Sequence, residues 1–150
     1  MITLTYYGLD QYIVGRLSRE MTPFLAELFE TSQDDINFVA PNVMVFHQGV
    51  DQTSWNTLVR VHLPKKYMVL QKEAAELIMS MSLGPTINIA VEFYYYSSDN
   101  RYEKINEDYP HFITEDNLVD VSEEYDSQLD EGEGEDEVYT GDIFADFNKD

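Results

Sequence analysis

The side chains best placed to do chemistry in this 150-residue chain are Arg60, His62 and Tyr94. Arg60 lies in Leu58-Val59-Arg60-Val61-His62-Leu63, where a period of two puts Val59, Val61 and Leu63 on one strand face and Leu58, Arg60 and His62 on the other. A guanidinium projecting from a sheet can hold a small anionic ligand, a carboxylate above all, through two parallel N–H bonds. The same position also suits an ion pair with Glu92 across the sheet, or a contact between subunits. His62 and His47 both sit near strand ends, and such a pair can share a metal or divide acid and base roles. The chain has three histidines without a repeated spacing, so hydrogen bonding within the fold is the plainer reading and no metal site is expected. Tyr94 belongs to the run Phe93-Tyr94-Tyr95-Tyr96, followed by Tyr102 and Tyr109. These rings can line an apolar pocket with hydroxyl handles, or pack the end of the sheet or a subunit interface. His111, beside Phe112, reads as structural or exposed.

Several chemistries are absent from the sequence. There is no glycine-rich phosphate loop, no Gly-x-Ser-x-Gly elbow and no His-Glu-x-x-His, so nucleotide, hydrolase and zinc-peptidase readings have no support. Cysteine is absent, which removes disulfides, thiolate nucleophiles and thiolate metal ligands together. Gly132, Gly134 and Gly141 lie among acids, yet each fails the calcium-loop pattern at several ligand positions. No cofactor is expected. Lys65 and Lys66, read as the start of a second helix, can attract an anion together with its free amides, or simply be solvated.

Charge divides the chain. The net charge is -20, and residues 114–150 hold 15 acidic residues against one lysine, leaving 14 acids and 8 bases before them. Phosphate backbones need clustered Lys and Arg, and none is present, so neither nucleic acid nor an anionic membrane surface is an expected partner. The length favours one folded domain, expected over residues 1–113, with an acidic, largely disordered tail over 114–150. Within that tail Asp130-Glu131-Gly132-Glu133-Gly134-Glu135-Asp136-Glu137 repels itself. Val138-Tyr139 and Ile143-Phe144-Ala145-Asp146-Phe147 mix aromatic and acidic character, which suits docking on a basic protein partner; a solubilising extension is the blander reading. No apolar run approaches the length that spans a bilayer, and Met1 to Tyr7 has no basic leader, so a cytoplasmic location is expected.

The elements that must carry these residues follow a pattern written twice. Ile2 to Tyr7 reads as a strand ending at Gly8, and Asp10 can cap a helix whose apolar stripe is Ile13, Val14, Leu17, Met21, Phe24, Leu25 and Leu28. Pro23 predicts a kink or break near Thr22. A bent strand is expected over Ile36 to His47, interrupted at Pro41-Asn42. Trp55, in the connection that follows, reads as a lid on the core's edge. The second unit is the strand Leu58 to Leu63, a helix with the stripe Tyr67, Leu70, Ala74, Leu77, Ile78 and Met81, a stop at Gly84-Pro85, and a strand of clear alternation from Ile87 to Tyr95. Two β-α-β units predict an α+β protein: a four-stranded sheet with parallel pairs and both helices on one face. The opposite face then carries Arg60, His62, Glu92 and Tyr94, a mixture that invites oligomerisation.

Tyr7-Gly8-Leu9, Leu17-Ser18-Arg19-Glu20 with Leu25-Ala26-Glu27-Leu28, and Ala74-Ala75-Glu76-Leu77-Ile78 carry a further likeness, with Glu92-Phe93-Tyr94, Tyr102-Glu103 and His111-Phe112. Over residues 1–113 the chain resembles the tautomerase / macrophage migration inhibitory factor superfamily, and within it a bacterial family of unknown function. The resemblance implies a homotrimer and an active site at the amino terminus, where the superfamily uses a proline as general base. Ile2 stands in place of that proline. Its large side chain disfavours removal of Met1, so proline-type chemistry is not expected, and Met1 and Ile2 enter as ligand-binding candidates only. Three functions follow: a small-molecule-binding or divergent oligomeric protein lacking the catalytic proline, an interaction protein acting through its acidic tail, or a tautomerase using the Met1 amine.

Overall fold

The computed structural model describes residues 1–114 and Asn117. Alternation of apolar residues sets the sheet. Strand β1 (Ile2–Tyr7) buries Ile2, Leu4 and Tyr6, and β5 (Asn56–Pro64) buries Thr57, Val59, Val61 and Leu63. Each fully buried Leu, Ile or Val on this face contributes about 1.5–3 kcal/mol through the area it removes from water. Helix α1 (Gln11–Leu28) lays Val14, Leu17, Met21, Leu25 and Ala26 on that layer, and α2 (Gln71–Ser82) adds Ala74, Ile78 and Ser82. Phe24, expected on the α1 stripe, is 53 % exposed instead.

The sheet order is β2-β1-β5-β6, with β2 at Ile36–Val39 and β6 at Asn88–Tyr96. β1 runs parallel to β2, β5 runs parallel to β6, and β1 and β5 meet antiparallel at the centre. The expected β-α-β pairs and the one-sided helical layer are therefore present. Asp10 caps α1 as its side-chain type predicts, accepting from the amides of Tyr12 and Ile13 at 2.8 and 3.4 Å.

Four local expectations are corrected. The helix is not broken at Pro23 and continues from Gln11 to Leu28. Proline removes a single backbone bond, while Met21, Leu25 and Ala26 remain buried on either side of it. The strand expected over Ile36 to His47 stops at Val39, because Pro41 has no amide to donate and the Val43 amide turns back to the Pro41 carbonyl at 2.8 Å. Beyond it β3 (Phe46–His47) pairs with β4 (Val50–Asp51) in a separate two-stranded hairpin. Gln48 and Gly49, at φ 48° and 80°, form its two-residue turn with both central residues left-handed. Finally, Lys65–Leu70 is a 3-10 turn, and α2 begins only at Gln71. Lys65 and Lys66 thus lie outside its first turn, and the Lys66 ammonium rests 4.6 Å from the centre of the Tyr67 ring. Trp55 is 57 % exposed, so it does not close the core.

Met1–Phe112 form one compact unit. Of the second unit, Ile113–Asp150, the described residues show one turn, in which the Thr114 amide donates to Asn117 Oδ1 at 2.7 Å. The rest of the acidic tail, including Val138 to Phe147, lies outside the described residues. Among the described residues no helix is long and apolar enough to cross a membrane.

Candidate functional site

Strand pleating places the polar candidates. The helices cover the face that holds Val59 and Val61, so Arg60 and His62 emerge on the open face. Pairing then chooses their neighbours. Val39, Thr5, Arg60 and Glu92 form one row across the four strands, and Asn37, Thr3, His62 and Tyr94 form the next. Adjacent side chains in such rows are within reach of each other.

The ion pair foreseen as one alternative for Arg60 is present. Arg60 Nε lies 3.2 Å from Glu92 Oε2, and the Tyr94 hydroxyl donates to that same oxygen at 2.9 Å. The guanidinium carbon is 5.2 Å from the centre of the Tyr7 ring and 5.8 Å from that of Tyr94. His62 stacks on Tyr94 with ring centres 5.0 Å apart and planes 18° apart. The hydrogen bond to Glu92, and then the nearby Tyr94, hold the Arg60 pKa above its ordinary value. The Tyr94 phenol is also raised, chiefly because its proton is shared with the Glu92 carboxylate. Arg60, His62 and Tyr94 are therefore one group.

Beside this group, toward the end of β1, lies a pocket of about 490 Å³. Arg60 and Tyr7 form one side, Leu58, Ile89 and Ala90 lie on its floor strands, and Val43, Met44 and Val45 reach it from the segment before β3. Asn56, Thr57 and Asn88 complete the lining. Gly8 permits this closeness: at φ 76° its backbone passes so near that an added Cβ would stand 2.6 Å from the Asn56 carbonyl and 3.0 Å from Val45. Tyr7 was legible as a neighbour of Arg60 from strand parity once β1 and β5 were known to pair. Val43 to Val45 gave no such signal, since they sit in irregular chain.

Met1 and Ile2, adjacent in sequence, are separated by the same pleating. Ile2 is 1 % exposed and belongs to the core under the helices. Met1 instead joins Pro64, Tyr96, Ser97, Ser98, Arg101 and Glu103 around a smaller pocket of about 260 Å³. The Tyr96 hydroxyl donates to the Met1 carbonyl, and the Arg101 guanidinium sits 4.6 Å from the Tyr96 ring centre and 3.5 Å from Glu103. Burial is the main cause that raises the Tyr96 phenol. Tyr96 belongs to the aromatic run read from sequence as able to line a pocket, whereas Arg101 was not singled out, because the chain after β6 has no periodic pattern. His47 lies exposed in the β3–β4 hairpin. Among the described residues no cluster of three or more His, Asp or Glu side chains could hold a metal ion.

No protein-family model matches the sequence, and no curated protein matches it significantly. Solved structures do share the fold. A domain of unknown function (DUF1904) from Sebaldella termitidis superposes with a TM-score of 0.62 at 15 % identity, covering 69 % of this chain and 95 % of that one. A protein of unknown function from Vibrio cholerae gives 0.59 at 21 % identity over 68 % and 83 % of the two chains. A macrophage migration inhibitory factor homologue from Prochlorococcus marinus gives 0.52 at 17 % identity over 69 % and 94 %. The architecture is thus tautomerase-like, and at these identities the likeness is one of fold.

Proposed function

We propose that this chain is a small-molecule-binding protein on a tautomerase-like scaffold, without the amino-terminal proline chemistry of that superfamily. It works in the cytoplasm as a homo-oligomer, with a trimer as the expected assembly. The observation that carries this proposal is the pocket of about 490 Å³ bounded by Arg60 and Tyr7 on the open face. Its size suits a small organic ligand, and its mainly apolar wall with a few polar groups at one side is the usual composition of such sites. Ile2 supports the loss of proline chemistry, since its side chain is spent on the core.

Ligand-observed NMR against a fragment library tests the proposal. Fragments that bind the wild type should lose binding in Leu58→Trp, whose ring fills the pocket from its floor. Equal binding by both proteins would move the ligand elsewhere.

A second proposed role rests on the 15 acidic residues of positions 114–150, which suit a basic protein partner. Deleting them should abolish capture of such a partner; unchanged capture would remove the tail from the account.

A further inference from the structure

An arginine at the side of an apolar pocket invites an anion, and the charges around Arg60 oppose one. Its Nε is engaged by Glu92 at 3.2 Å, and Tyr94 ties down the same carboxylate oxygen. The ring faces of Tyr7 and Tyr94, 5.2 and 5.8 Å away, offer further negative potential to the guanidinium. A carboxylate entering the pocket would meet a cation whose charge is already matched, and would lie close to Glu92 with its like charge. The net charge of -6 over residues 1–113, from 14 acids and 8 bases, adds to that opposition. Arginine has five N–H donors in a planar fork, so the group keeps donors beyond Nε for a neutral acceptor. Val43, Met44, Val45, Leu58, Ile89 and Ala90 supply an apolar wall.

On the basis of the small-molecule role assigned to this pocket, we propose that it takes a neutral, predominantly apolar molecule bearing one hydrogen-bond acceptor, such as an amide or ketone carbonyl. Glu92 is the specificity-determining residue: by neutralising Arg60 it rejects the matching carboxylate.

Octanamide and octanoate, matched in shape and different in charge, test this on the full chain by isothermal titration at neutral pH. The wild type should bind octanamide about tenfold more tightly than octanoate. Glu92→Gln, which frees the charge of Arg60, should remove or reverse that preference, while Arg60→Gln should weaken octanamide. Octanoate bound as tightly as octanamide by the wild type, or a preference unchanged in Glu92→Gln, overturns the ligand class and leaves the pocket a small-molecule site. Binding of neither probe, or octanamide binding that survives Leu58→Trp, overturns the pocket itself. A second copy of the chain seated in the pocket is the rival occupant. It predicts no binding of either probe and disassembly of the Leu58→Trp protein, and that pair of results also overturns the proposal.

Discussion

The Tyr6 hydroxyl lies in the core, 3.2 Å from Ser82 Oγ and 3.9 Å from the sulfur of Met21, and burial pushes its pKa up from 10.0 to about 12. Below the unfolded value the phenol is protonated in both states. Between the two values the unfolded chain has lost its proton and the folded chain keeps it, so stability falls as pH rises through this window, by about 3 kcal/mol in all. Tyr6→Phe should flatten that alkaline loss, at a cost near neutral pH of about 1 kcal/mol for the broken bond to Ser82. Guanidinium denaturation across the alkaline range measures both, and an equal alkaline loss in the two proteins would absolve Tyr6. Strand alternation made the inward position of Tyr6 legible, but its partner was not, because Ser82 is 76 residues away on a helix end. Arg60 was legible in type and face, and its pairing with Glu92 stood among the alternatives that the sequence allowed. The Tyr7 contact and the His62–Tyr94 stack depend on which strands adjoin, which side-chain types do not encode.

The elements divide by the strength of their periodicity. α1, β5 and β6 are long enough for repeated apolar positions to define them, and each appears where the pattern puts it. β3 and β4 have two residues each, too few to show a period, so the hairpin vanished into a bent strand and a connection. Its Gln48-Gly49 turn was the available signal, weakened because Gln is not a residue that usually favours left-handed angles. The turn at Gly8 has the largest local consequence. Gly8→Ala places a side chain at φ 76° against the Asn56 carbonyl, and should cost about 2–4 kcal/mol of unfolding free energy while shifting Val45 at the pocket's rim. A thermal melt within a degree of wild type would refute this. Asp10→Ala, two residues on, removes only the cap and should cost about 1 kcal/mol; a larger loss would mean that Asp10 does more than cap α1.

At the scale of the molecule, both described helices cover one sheet face, and among the described residues no helix covers the other. Among the described residues β6 is an edge strand of nine residues with no strand paired on its outer side, an arrangement that natural sheets cover. Light scattering on the full chain tests the proposed homo-oligomer: a trimer should return about three times the 17.4 kDa of one chain, and a monodisperse monomer would count against the assembly. Two parallel pairs and a shared helical face were legible from the doubled pattern. The antiparallel seam between β1 and β5 was not, since nothing in either unit states how it meets the other. That seam relates the two β-α-β units by an approximate two-fold axis, normal to the sheet and passing between β1 and β5. Under this axis the start of β1, where Met1 lines the small pocket, maps onto the start of β5, where Asn56, Thr57 and Leu58 line the larger one. The twice-occurring β-α-β unit thus leaves two corresponding stations at opposite ends of the sheet, one an open pocket of about 490 Å³ and the other about 260 Å³.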